Sequence, residues 1–196
     1  MNNITFKQYR NIDLTIFAVL LVASEAITTV ATNVWFAAQP IAISTTLIFI
    51  CILMMRWNWF ATIAACLGGL VFCIASKASP EQYLVYVVGN CASLSAMLWF
   101  KVWGKEKIRS SYPRIFAFVI TSYVMMQIGR WLLSLPFGAR LDTLLVYLTT
   151  DIISLLFAVV VMMLMRNAEG MIEDQKAYLF RLQRERDKNR EYSIDE

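Results

Sequence analysis

The chain has 196 residues, of which 59% are apolar and 13% aromatic, and its mean hydropathy is +0.57. That composition excludes an ordinary soluble domain and describes an all-α integral membrane protein. Only 16% of residues are charged, the net charge is +4 and histidine is absent, so the commonest metal ligand and the favoured general base near neutral pH are both missing.

A short polar start with Lys7 and Arg10 leads into a first predicted span from about Leu14 to Phe36. A cleaved signal peptide ending near Ala23-Ser24-Glu25-Ala26 is the competing reading. The apolar run continues through Ile27, Val30, Val34, Trp35 and Phe36, however, which is length enough to cross a bilayer. Gln39-Pro40 is expected to open a second span reaching Met55, since proline is tolerated at the first helical position. After the basic and aromatic turn Arg56-Trp57-Asn58-Trp59, a third span covers Phe60 to Ser76. Ala61, Ala65 and Gly69 recur there at four-residue spacing beside Ala64 and Gly68, which flattens one helix face. Internal packing and a docking surface for another membrane subunit are both compatible with that face.

A polar loop from Lys77 to Gln82 precedes a fourth span, Tyr83 to about Trp103. The basic cluster Lys101, Lys105, Lys107, Arg109 and Arg114 comes next, then a fifth span from Ile115 to Leu135 that stops at Pro136-Phe137-Gly138. The sixth runs from about Leu141 to Met165. Residues 1–165 thus read as a bundle of six transmembrane helices, and residues 166–196 as a charged cytoplasmic tail. Ile172, Gln175, Leu179 and Leu182 have a heptad-like spacing, which predicts a short helix continuing from the sixth span across a hinge at Gly170.

Orientation follows from lysine and arginine, which accumulate on the cytoplasmic side. With both termini inside, only Lys77 and Arg140 of the 18 basic residues fall outside, and Arg130 alone lies within a span. The location expected is the cell membrane, as a multi-pass protein. Basic residues beside apolar spans suit an anionic lipid surface and not nucleic acid.

Ruling out chemistry is straightforward. There is no Gly-Lys-Ser or Gly-Lys-Thr for a nucleotide phosphate loop, no Gly-x-Ser-x-Gly elbow, and no histidine to complete a Ser-His-Asp triad. Cys51, Cys66, Cys73 and Cys91 form no Cys-x-x-Cys pair and read as buried thiols. No cofactor is expected and the protein is not expected to be an enzyme, although a carboxylate-dependent membrane enzyme is a third reading. The informative residues are ionisable ones at membrane depth, each costing at least about 2.5–3.5 kcal/mol at a helix centre unless partnered. Glu25 and Asp151 sit about 15 Å deep by helical rise, and Arg130 lies nearer the outside. Either carboxylate has the depth to pair with Arg130, as a structural ion pair, a ligand site or a proton or ion relay. Asn33, Gln39, Tyr86, Asn90 and Gln127 gather toward the same outer half. Together with Arg130 and a carboxylate they are the candidate substrate-binding residues, with amide, phenol and guanidinium groups beside apolar walls.

The six-span architecture, Gln39-Pro40 at the second span, and Met54-Met55-Arg56-Trp57 leading into the small-residue third span with Gly68-Gly69 resemble the substrate-binding S-components of energy-coupling factor transporters. The resemblance covers roughly residues 10–165. It implies capture of a vitamin-like micronutrient at the outer face, with a membrane coupling subunit and separate ATPase subunits powering transport. Members commonly dock that subunit through an alanine-x-x-x-alanine surface on the first helix; Ala18, Ala23 and Ala26 lack that spacing here. The family's nickel and cobalt branch uses an N-terminal histidine that this chain does not have. The alternative is a noncatalytic membrane scaffold, similar to the cell-shape factor MreD, that recruits partners through its helices and tail.

Overall fold

The computed structural model describes residues 5–39, 41–168 and 170–192, and all regular structure among them is helical. Helix α1 (Phe6–Trp35) opens on a capping box: Thr5 Oγ1 accepts from the Gln8 amide at 3.3 Å, and Gln8 returns its side-chain oxygen to the Thr5 amide at 2.8 Å. Helix α2 (Thr46–Trp57) and helix α3 (Ala61–Ala75) follow, separated by a 3-10 turn at Asn58–Phe60. Helix α4 (Pro80–Val102) starts on a second capping box, Ser79 with Gln82. It contains a π turn at Leu84–Val88 and a 3-10 stretch at Asn90–Met97. Then come α5 (Lys105–Ser110), α6 (Tyr112–Ser134), α7 (Leu141–Thr150), α8 (Ile152–Met165) and the tail helix α9 (Gln175–Tyr192).

Four helical runs are long and apolar enough to cross a membrane, namely Phe6–Trp35, Thr46–Ala75, Pro80–Val102 and Tyr112–Phe137, and α7 with α8 makes a fifth if the bent pair counts as one span. The run Thr46–Ala75 doubles back on itself. A Cβ on Gly68 would come within 2.3 Å of Thr46 Oγ1, whereas 22 residues of straight helix would hold the two about 33 Å apart. The reversal sits at Asn58, whose φ of 54° is one that asparagine tolerates better than most residues. Helices α2 and α3 are therefore two antiparallel legs, the first only 12 residues long.

Helix α2 is the core. Every residue in it except Phe49 is buried, as expected for a helix that is apolar all round, and α1, α3, α4, α6 and α8 all pack on it. The small-residue face of α3 packs internally: Ala61, Ala64, Ala65, Gly68 and Gly69 are all buried. Large apolar side chains such as Ile16, Val30, Leu98, Leu156 and Val160 point outward instead. That apolar exterior is the expected surface for lipid and would be a liability in water.

Three sequence expectations need correction. Helix α2 does not start at Gln39-Pro40: residues 41–45 are non-helical, and Pro40 itself lies outside the described residues. The stretch is stable because neighbouring helices take its backbone donors, Ala42 N–H going to the Thr150 carbonyl (3.0 Å) and Ser44 N–H to Ser154 Oγ (2.8 Å). The final span is broken at Asp151, with α7 and α8 bent by 48°. Nor does the tail continue that span. Gly170 turns the chain at φ 72°, and Ile172, ahead of α9, and Gln175, its first residue, are fully buried against the bundle.

Candidate functional site

Arg130 and Asp151, two ionisable residues inside apolar stretches, meet near the junction of the two irregular segments. Their positions depend on a close crossing of α4 and α6. A Cβ on Gly89 would lie 2.8 Å from Arg130 Cα, and one on Gly129 would lie 2.5 Å from the Gly89 carbonyl oxygen. Only glycine at both positions lets the backbones approach this far. The crossing brings Asn90, next to Gly89, against Arg130, next to Gly129. Arg130 Nε donates to Asn90 Oδ1 at 2.8 Å, and Asn90 Nδ2 donates in turn to the Ala65 carbonyl at 3.3 Å.

From the other side, Asp151 at the α7/α8 break completes the pair. Arg130 Nη1 donates to Asp151 Oδ2 at 2.6 Å and to Gln127 Oε1 at 3.1 Å, while Gln127 Nε2 reaches the same carboxylate at 3.2 Å. The carbonyls freed by the break are satisfied as well, Leu148 by the Tyr123 hydroxyl and Thr150 by Ala42. Tyr86 lies under the guanidinium, 4.7 Å from ring centre to Cζ, with Phe72 tilted against it and Tyr147 meeting it edge to face. Among the described residues the second terminal nitrogen, Nη2, touches only the Met126 sulfur at 3.8 Å, a weak acceptor.

Glu25 does not pair with Arg130. Its carboxylate sits at the N-terminus of α2, where Oε2 accepts from the Thr45 N–H (2.7 Å), the Thr45 hydroxyl (2.9 Å) and the Thr46 N–H (3.0 Å). A negative charge at a helix N-terminus answers both the unpaired donors and the helix dipole. The two carboxylates belong to one network even so. Ser154 Oγ donates to Asp151 Oδ1 (3.3 Å) and accepts from Ser44 N–H, while Ser44 Oγ accepts from Thr46 N–H (3.2 Å). Hydrogen bonds thus run from Asn90 through Arg130, Asp151, Ser154, Ser44 and the shared Thr46 N–H to Glu25, crossing five helices.

Of the residues expected at the site, the structure gathers Arg130, Asp151, Asn90, Gln127 and Tyr86, and links Glu25 to them. It does not bring in Asn33 or Gln39, which are exposed. The buried line of α1 is Phe17, Leu21, Glu25, Thr29 and Thr32, and Asn33 is turned about 100° from Thr32. Gln39 lies in the turn beyond α1, its N–H held by the Phe36 carbonyl. Sequence reasoning missed Ser44, Thr45, Thr46 and Ser154, which stand out only as hydroxyl residues clustered in otherwise apolar stretches.

The chain matches no family model, no curated protein and no solved structure.

At the opposite end of the bundle lies a second polar cluster. Arg56 Nε and Nη2 grip Asp13 at 3.0 and 2.6 Å, Trp57 Nε1 adds a bond to the same carboxylate at 2.6 Å, and Arg56 Nη1 holds the Gly170 and Met171 carbonyls. Arg109 pairs with Glu173, and Lys105 bonds Asp174 and the Met55 carbonyl, both at 2.7 Å. Burial pushes the Lys105 ammonium below its usual range, and the Asp174 carboxylate offsets only part of that. The start of α1, the end of α2, α5 and the tail are thereby tied together, with Ile172 as the apolar plug.

Proposed function

We propose that the chain is a substrate-capturing membrane subunit of the energy-coupling factor kind. In this reading it has six crossings, both termini are cytoplasmic, and a separate coupling subunit with ATPases powers uptake. It binds a small vitamin-like molecule near the outer face and performs no catalysis. The observation that carries this reading is the buried Arg130–Asp151–Asn90–Gln127 constellation at the junction of two non-helical breaks. Broken helices at membrane depth, with polar groups converging on them, are a recurrent way of building a substrate site in membrane transporters. Arg130 Nη2, with no strong acceptor among the described residues, and the half-buried Tyr86, Phe72 and Tyr147 beside it offer donors and an apolar wall.

The test is mass spectrometry of small molecules released from the purified protein, followed by binding of the molecule found. Arg130→Lys keeps the positive charge beside Asp151 but removes the Nη2 donors. It is expected to weaken binding by about 1.5–3 kcal/mol, the range for hydrogen bonds to charged groups. Unchanged affinity in Arg130→Lys would refute the pocket.

A noncatalytic scaffold is the second reading. What favours it is that Arg130 Nε and Nη1 are already engaged within the protein. Purified protein that releases no small molecule but copurifies a stoichiometric membrane partner would support it.

A further inference from the structure

Glu25 is 0% exposed, and its two carboxylate oxygens differ sharply. Oε2 takes three donors from Thr45 and Thr46, whereas Oε1 takes none among the described residues. Two further fully enclosed oxygens, Thr29 Oγ1 and Thr46 Oγ1, lack a hydrogen-bond partner among the described residues. Thr29 follows Glu25 by one helical turn on the same buried line of α1. Of the hydroxyls at the start of α2, that of Thr45 donates to Oε2 at 2.9 Å, and that of Ser44 accepts from the Thr46 amide at 3.2 Å. Gly68 makes room for the Thr46 side chain, since any Cβ there would lie within 2.3 Å of Oγ1.

Buried oxygens without donors are costly, by roughly 1–3 kcal/mol each and more for a charged group. Three such oxygens where α1 meets the start of α2, one of them on a carboxylate, match the needs of a hard cation, which binds oxygen ligands alone. The charge count selects its valence. One carboxylate, with the α2 N-terminus already contributing partial positive charge, balances a monovalent ion; a divalent ion would leave net positive charge buried in the bilayer.

We propose that Glu25 Oε1, Thr29 Oγ1 and Thr46 Oγ1 form a binding site for a sodium ion, wedged between α1 and the start of α2. The site stands apart from the Arg130 pocket and does not depend on the function proposed above.

The experiment is thermal unfolding of the full chain in detergent at constant ionic strength, with sodium chloride replaced stepwise by N-methylglucamine chloride. Wild type is expected to gain about 3 °C in Tm for each tenfold rise in sodium above the dissociation constant. Glu25→Gln keeps an acceptor for the Thr45 and Thr46 amides but loses the charge, and its Tm should not respond to sodium. Thr29→Val removes a hydroxyl that makes no hydrogen bond, so it folds and should need at least about tenfold more sodium for the same Tm. A wild-type Tm indifferent to sodium overturns the proposal. So does an undiminished response in Glu25→Gln, or a Thr29→Val curve that superimposes on wild type.

Discussion

Arg130 is only 4% exposed and its partner Asp151 is equally enclosed, so the pair's value to the fold is asymmetric. Two charges this deep recover their lost hydration only through each other and through Asn90, Gln127 and Ser154. Removing one partner strands the other, which typically costs about 3–5 kcal/mol, whereas neutralising both is far less harmful. Arg130→Gln is therefore expected to lower stability by that amount, and Arg130→Gln with Asp151→Asn to recover most of it. Chemical or thermal unfolding of the three variants in one detergent gives the comparison; a double variant less stable than the single one would contradict an ion pair. Depth alone made Glu25, Arg130 and Asp151 legible in the sequence, because ionisable residues inside apolar runs must be partnered. Which carboxylate faced Arg130 was not legible, since that depends on the Gly89–Gly129 crossing and on where α2 begins. Asn33 shows the other limit: a polar residue near the right depth was placed one residue off the buried line of its helix.

At the scale of elements, the design rests on two close approaches. Gly69 meets the Tyr86 backbone, where a Cβ would lie 2.6 Å from the carbonyl oxygen, and Gly129 meets Gly89. Gly129→Ala must push α6 off α4, and with it Arg130 off Asn90. Overpacking of this sort usually costs about 1–3 kcal/mol. The loss should appear as a lower unfolding temperature even though alanine is the better helix former by about 1 kcal/mol; an unchanged or higher unfolding temperature would remove the packing explanation. The flat face of α3 was evident from spacing, and its internal destination became clear only once α2 proved to be the centre of the bundle. Periodicity could not reveal the start of α2 either. An apolar run with Ser44, Thr45 and Thr46 near its head reads as helix throughout, until Glu25, twenty residues earlier, claims the first amides.

For the whole molecule, the polar clusters define two distinct ends. Asp13, Arg56, Lys105, Arg109 and the tail residues Glu173 and Asp174 share one end; the turns after α3 and α6 lie at the other. Cysteines introduced at Ser79 and Gly138 should react with an impermeant thiol reagent added to intact cells, and one at Ser110 should not, if the tail end is cytoplasmic. Labelling at Ser110 with none at Ser79 would invert the orientation. Ser193, a natural reporter for the C-terminus, lies outside the described residues. The hydropathy pattern made the long apolar helices plain, but the plugging of the tail end by Ile172 required the chain to turn at Gly170 in place of continuing α8. The unwound residues 41–45 also bear on how the chain is made. The acceptors for Ala42 and Ser44 are Thr150 and Ser154, the latter 110 residues further along. While the ribosome is still producing α3 to α6, those amides have no protein partner and must stay in water, because leaving them in lipid costs several kcal/mol each. If residues 41–45 lie within a bilayer, the head of α2 therefore settles only after α8 has been synthesised, and the Arg130 cluster is among the last parts to be assembled.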